Sequence, residues 1–160
     1  MSMKKNNSDK IDSSPLGRLS GALRILIIQQ KMIGDVLTTS ILFEALKTKF
    51  PASELHYLVN QNCVPVVENN PFIDELITIS AKTEKNAHLL WKLGSFLKSK
   101  KYDIVFDVYS KNSSAFLTFK TNAKIRIGLK KWYLKWAYTN SIETSDISVE
   151  IPKAFYNRLE

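Results

Sequence analysis

The sequence predicts an α/β domain with a doubly wound parallel sheet. Three observations predict it. Short apolar runs rich in β-branched residues recur without the alternation of a half-exposed strand; amphipathic stretches with helical spacing separate them; and proline, glycine or paired asparagines mark the joints.

The elements follow in order. Residues 1 to about 22 are rich in Lys, Asn, Ser and Asp and read as a disordered tail, with an appended leader as the alternative. Arg24-Ile25-Leu26-Ile27-Ile28 is an unbroken apolar run, which requires cover on both faces and so predicts a central strand. After a loop from Gln29 to Gly34, a helix opens near Asp35, with Val36, Leu37, Ile41, Leu42, Ala45 and Leu46 as its expected buried stripe. Lys47 and Lys49 suit its negative end, and Pro51 stops it. Residues 54–59 form the second strand and 64–68 a short helix with Pro65 in its first turn. Residues 75–79 form the third strand. A strongly amphipathic helix over 87–101 presents Leu89, Leu90, Leu93, Phe96 and Leu97 on one face. Residues 102–109 form the fourth strand, 114–121 a helix, and 124–127 a fifth strand closed by Gly128. Beyond it, 132–138 reads as a helical turn or loop and 154–159 as a last helix.

A chain of 160 residues suffices for one domain with a sizeable core. Its net charge of +8 calls for an acidic partner or serves solubility; nucleic acid, anionic lipid and phosphorylated sugars all qualify. The single cysteine, Cys63, excludes an internal disulfide and fits a reducing compartment. No apolar run approaches the roughly 20 residues that span a bilayer, and the polar N-terminus lacks a signal-peptide core, so the expected location is the cytoplasm. His56 and His88 stand far apart in sequence with no evident carboxylate–histidine cluster, so no metal and no cofactor are expected.

In a doubly wound sheet, ligands bind beyond the C-terminal ends of the strands. That rule brings residues 29–35, 60–62 and 107–114 to one rim. The text of these segments resembles the opening of glycosyltransferase family 9, which contains the heptosyltransferases of lipopolysaccharide core synthesis. The resemblance starts with R-I-L-I-I-Q-Q-K-M-I-G-D-V-L at residues 24–37, where a first strand leads to a hydrophobic residue and Gly-Asp, here Ile33, Gly34 and Asp35. It continues through Phe50-Pro51, Leu58-Val59, N-P-F-I-D-E-L-I at 70–77, Y-D-I-V-F-D at 102–107, Ser114, and R-I-G at 126–128. This chain has Lys31 and Met32 where family members often carry small polar residues.

The resemblance implies the Rossmann-like N-terminal, acceptor-side half of the two-domain GT-B fold. Residues 23–150 would form that domain and 151–160 the start of the interdomain segment, with the isolated chain inactive for want of its donor-binding half. It implies inverting, metal-independent transfer of a sugar from a nucleotide-sugar, ADP-heptose first, to a lipopolysaccharide core acceptor. The location would be the cytoplasm or the inner face of the inner membrane. Asp35 becomes the candidate general base, since a carboxylate suits removal of the acceptor's proton; as a residue at a helix start it also reads as a cap. Lys31, Ile33, Gly34, Asp107, Ser114, Lys130 and Lys131 are the candidate substrate-binding residues. Each has a structural alternative: a solvated loop lysine for Lys31, loop support for Asp107, capping for Ser114. The run Leu129-Lys130-Lys131-Trp132-Tyr133-Leu134-Lys135-Trp136 mixes cations with interfacial aromatics and suits a phosphorylated glycolipid or a membrane surface. Its alternative is that Trp132 and Trp136 pack on the domain while the lysines are solvated.

The same residues fit two other functions poorly. A dinucleotide-binding fingerprint needs three glycines after the first strand, and residues 29–35 contain one. Nucleic-acid binding finds no motif, and the cations are spread along the chain. A non-catalytic half-GT-B module that binds a phosphorylated glycan or nucleotide-sugar remains the alternative to the transferase.

Overall fold

The computed structural model describes residues 22–143. The expected N-terminal tail (through Gly21), final helix and interdomain segment lie outside the described residues.

The sheet has six strands in the order β3-β2-β1-β4-β5-β6. The strands are β1 (Arg24–Ile28), β2 (Glu54–Asn60), β3 (Glu75–Ile79), β4 (Ile104–Asp107), β5 (Ile125–Leu129) and β6 (Asn140–Ile142), and every pairing is parallel. β1 lies between β2 and β4, as its unbroken apolar run requires. Ile25 and Ile27 pack on one face with Val36, Phe43 and Tyr57, while Leu26 and Ile28 pack on the other with Leu97, Val105 and Leu117. This is the strand order of the Rossmann-like doubly wound fold.

The first face is covered by α1 (Ile33–Thr39) and α2 (Ile41–Lys49). They replace the single helix expected from Asp35, and the break has a local cause. Thr38 Oγ1 donates to the Gly34 carbonyl and Ser40 Oγ to the Leu37 carbonyl, so hydroxyls compete with amides for helix acceptors across Thr38-Thr39-Ser40. The expected stripe is corrected with it. Val36, Thr39, Ser40 and Phe43 are buried, whereas Leu37, Ile41 and Leu42 are exposed. Leu42 instead borders an apolar groove of about 510 Å³ with Phe106, Ile127, Leu129 and Ile142, on the part of the sheet that these helices leave uncovered.

The second face is covered by α4 (Ala87–Ser99) and α5 (Asn112–Lys120). Leu90, Leu93 and Leu97 of α4 face the core, but Phe96 is exposed beneath the Lys100 ammonium, 5.1 Å from its ring centre. The short helix expected at 64–68 is a 3-10 turn over Gln61–Val66, capped by Asn60, whose side chain accepts from the Asn62 amide. An additional helix, α3 (Ala81–Lys85), is capped by Ser80 through the Thr83 amide. β4 is shorter than expected because the amides of both Val108 and Tyr109 turn onto the Ile28 carbonyl.

Candidate active site

The chain leaves β1 at Ile28 and reaches α1 through a loop whose last residue, Met32, has φ 67°. A non-glycine residue in this region is strained. The turn brings Ile33 and Asp35 onto the rim. Asp35 lies in the first turn of α1, two residues past its start, so it is not the N-cap; Met32 holds that position and offers no side-chain cap. Among the described residues nothing hydrogen-bonds or pairs with the Asp35 carboxylate, which is exposed on an open cavity of about 700 Å³. Lys31, Ile33, Gly34, Asn60 and Cys63 also line it. A Cβ placed on Gly34 would meet no atom within 4 Å, so the fold itself does not require glycine there.

Lys31 separates this cavity from a second one of about 600 Å³, lined by Glu84, Lys85, Tyr109, Lys111, Asn112, Ser113 and Tyr133. The Lys31 ammonium pairs with Glu84 at 2.6 Å, and this hydrogen bond raises its pKa. Ser113 of that lining donates through Oγ to Oε1 of the fully buried Gln30 at 3.3 Å, and among the described residues the Gln30 Nε2 finds no partner.

The other candidates sit below the surface or apart from these cavities. Asp107 is 1% exposed. Its Oδ1 accepts from the Ser110 amide at 2.8 Å and its Oδ2 from the Tyr138 hydroxyl at 2.8 Å. Burial pushes its carboxyl up to about 6, against the pull of those donors. Ser114 is buried and closes a reciprocal cap, donating to the Lys111 carbonyl and accepting from the Lys111 amide, both at 3.0 Å. Lys131 Nζ donates to the Ser110 carbonyl at 2.7 Å, tying down the same loop. Lys130 pairs with Glu143 at the end of the sheet.

The structure thus gathers Lys31, Ile33, Gly34 and Asp35 on one cavity, and sets Asp107, Ser114 and Lys131 as supports of the neighbouring loop. Sequence reasoning missed Glu84 and Lys85, because the Ser80 cap that starts α3 is a weak signal. It also missed a carboxylate–histidine cluster, a correction to the expectation of none. The side chains of Glu54, His56 and Glu75 converge, since parallel pairing sets His56 opposite Glu75. Arg24 holds Glu54 at 2.7 Å and Lys100 holds Glu75 at 2.8 Å, so both carboxylates are already neutralised, at the sheet end opposite the rim.

No family model matches the chain. It is 28% identical over 97 residues to lipopolysaccharide heptosyltransferase 3 of Escherichia coli, which covers 59% of this chain and 28% of that protein. Its fold matches the crystal structure of a family 9 glycosyltransferase from Veillonella parvula with a TM-score of 0.70 at 25% identity, over 78% of this chain and 37% of that one. The chain is similar to family 9 glycosyltransferases and to lipopolysaccharide heptosyltransferases. The E. coli heptosyltransferase WaaC, solved with ADP, shares the fold at a TM-score of 0.62 and 18% identity, over 76% of this chain and 41% of that one. The chain therefore spans well under half the length of each of these relatives.

The family-like motifs now have physical explanations. In the N-P-F-I-D-E segment, Asn70 Oδ1 accepts from the Phe72 amide, and Asp74 Oδ2 takes both the Leu55 amide at 2.6 Å and Lys47 at 2.8 Å. In R-I-G, Arg126 donates to the Ala123 and Ala137 carbonyls, and Gly128 leaves room for the Tyr138 ring. A Cβ on Gly128 would stand 2.3 Å from Tyr138 Cζ.

Proposed function

We propose that this chain is the acceptor-side half of a GT-B glycosyltransferase, and that Asp35 is its general base. The observation that carries this reading is the Asp35 carboxylate, exposed on the rim cavity and without an intramolecular partner, beside a glycine the fold does not need. In the reaction an acceptor hydroxyl gives its proton to Asp35 as its oxygen attacks the anomeric carbon of the donor sugar. The bond from that carbon to the nucleoside diphosphate breaks on the opposite side, the leaving group keeps the electron pair, and the configuration inverts. The relatives' names, a lipopolysaccharide heptosyltransferase and a heptosyltransferase solved with ADP, together with the resemblance favour ADP-heptose as donor and a lipopolysaccharide core as acceptor. The family resemblance makes the transfer independent of metal.

Incubation of the intact gene product with labelled ADP-heptose and a core acceptor tests the reading. Transfer to the acceptor, unchanged by EDTA, is expected. Absence of transfer from ADP-heptose and other nucleotide-sugars would overturn it. The second reading, a non-catalytic module for a phosphorylated glycan, draws on the lysine-lined cavity, which this chain builds unaided from Lys31, Lys85 and Lys111. Acceptor binding without any transfer would favour that module.

A further inference from the structure

The half of the sheet beyond β1 is covered on one face and bare on the other. Parallel pairing sets Phe106 beside Ile127 and Leu129 beside Ile142, so an apolar row crosses β4, β5 and β6. With Leu42 and Val108 this row walls the groove of about 510 Å³. Leu42, Val108 and Ile142 are exposed, and Phe106, Ile127 and Leu129 are only half-buried. Strands of a parallel sheet are apolar on both faces because both are normally covered. Among the described residues, Leu42 alone brings a helix to this wall. A contiguous apolar patch of this kind marks a contact surface.

The wall offers an occupant apolar contact and little else. Its one charged residue, Asp107, has its carboxylate oxygens occupied by the Ser110 amide and the Tyr138 hydroxyl. A sugar, phosphate or nucleotide would lose its water there and find no partner. A second copy would bring together two chains of net charge +8.

The sequence itself supplies a fitting occupant. The described residues end at Glu143, one past the Ile142 that lines the groove, and seventeen more follow. Among these, Ile151, Phe155 and Leu159 recur every four residues, and Pro152 stands where a first helical turn tolerates proline. Read as a helix, they make one apolar stripe with Asn157 opposite it. Such a helix is about 14 Å long and about 10 Å across, and three adjacent strands span about 10 Å. The eight steps from Glu143 to Ile151 reach about 26 Å when extended, enough to turn the chain back over β6.

We propose that residues 151–159 seat in this groove, with Phe155 against Leu42 and Phe106, and complete the cover of the sheet. Asp107 ends β4 and Leu129 ends β5, so the same segment braces the strand ends from which two rim loops leave. The proposal does not depend on the transfer chemistry.

Disulfide capture in the purified chain tests it. In a Cys63→Ser background, Leu42→Cys with Phe155→Cys should close an intramolecular disulfide on mild oxidation, read as a gel-mobility shift that reduction reverses. Leu42→Cys with Asn157→Cys, on the opposite side of the helix, should close about ten-fold more slowly. Phe155→Ser should raise the fluorescence of the apolar dye ANS about two-fold or more and lower the melting temperature by about 5 °C or more. Asn157→Ser should do neither. The cysteine pairs decide the matter even where Phe155→Ser fails to fold. Equal closure rates for the two pairs, or no closure in a chain that melts like wild type, would overturn the proposal. So would disulfide-linked dimers as the main product, which would assign the groove to a second copy, or wild-type dye binding and melting in Phe155→Ser.

Discussion

Met32 carries the most unusual backbone on the rim. Its φ of 67° would suit glycine, and its side chain is mostly exposed, so little packing compensates for the strain. Met32→Gly should therefore raise the stability by about 1 kcal/mol, read as a higher melting temperature. An unchanged or lower value would show that the exposed methionine contributes more than the strain costs. A second residue-scale test concerns Gly128, whose missing side chain is the room for Tyr138. Gly128→Ala should destabilise by about 1–3 kcal/mol as the ring is displaced and its hydroxyl drawn from Asp107. Denaturant melts at constant slope would measure it. Asp107 itself gives a pH signature. Its folded pKa, about 6, lies above the unfolded value, so the native state binds the proton more tightly. Its contribution to stability is then unfavourable at neutral pH, and is relieved as pH falls through about 6 towards the unfolded pKa. Asp107→Asn should keep both hydrogen bonds, because the amide oxygen accepts from Ser110 and the amide nitrogen can donate to the Tyr138 oxygen. It should remove that segment of the stability–pH curve relative to wild type. Identical curves for the two proteins between pH 4 and pH 7 would contradict the buried carboxylate's role. Neither the strain at Met32 nor the burial of Asp107 was legible in the sequence, since both depend on where neighbouring elements place the loop. Asp35 was legible as a rim carboxylate, yet its exact place in the helix was not.

At the scale of elements, what the sequence displayed best were the segments with a single strong pattern. β1, β3 and α4 stand where apolar runs and helical spacing put them, because burial on both faces, or along one stripe, dominates every local preference. The misplacements share a cause: side-chain hydroxyls and amides that redirect the backbone. Ser40 and Thr38 divide the first helix, Ser80 starts α3, and Asn60 turns the chain into a 3-10 segment. β6 is three exposed residues, Asn140–Ile142, and such a short polar edge strand leaves no periodic trace. Asp74 shows how a loop side chain joins elements. Burial alone would raise its pKa, but the Leu55 amide and the Lys47 ammonium outweigh this and hold it below the usual carboxylate range. It thereby ties the loop before β3 to the starts of β2 and the end of α2. Asp74→Ala leaves the Leu55 amide without its acceptor side chain and should cost about 1–3 kcal/mol. A loss below half a kilocalorie in urea melts would show the bond to be incidental.

For the molecule as a whole, the strand order concentrates the C-terminal ends of β1, β2 and β4 on one rim, and this arrangement makes a site out of loops distant in sequence. The rim was foreseeable from the alternation of strands and helices alone. Its division into two cavities that share Lys31 was not, because α3 contributes Glu84 and Lys85 from outside the motif segments. On the proposed mechanism the free carboxylate in the first cavity takes the acceptor's proton. Asp35→Asn in the intact gene product measures it most directly, with turnover at saturating substrate and thermal melting read on the same preparation. Asn retains the side chain's shape and gives up only the first-turn charge, worth about 0.3–1 kcal/mol, so the melt should change little. Turnover should fall about 10²–10⁴-fold. A variant that melts like wild type and turns over at the wild-type rate would place the base elsewhere and contradict the account.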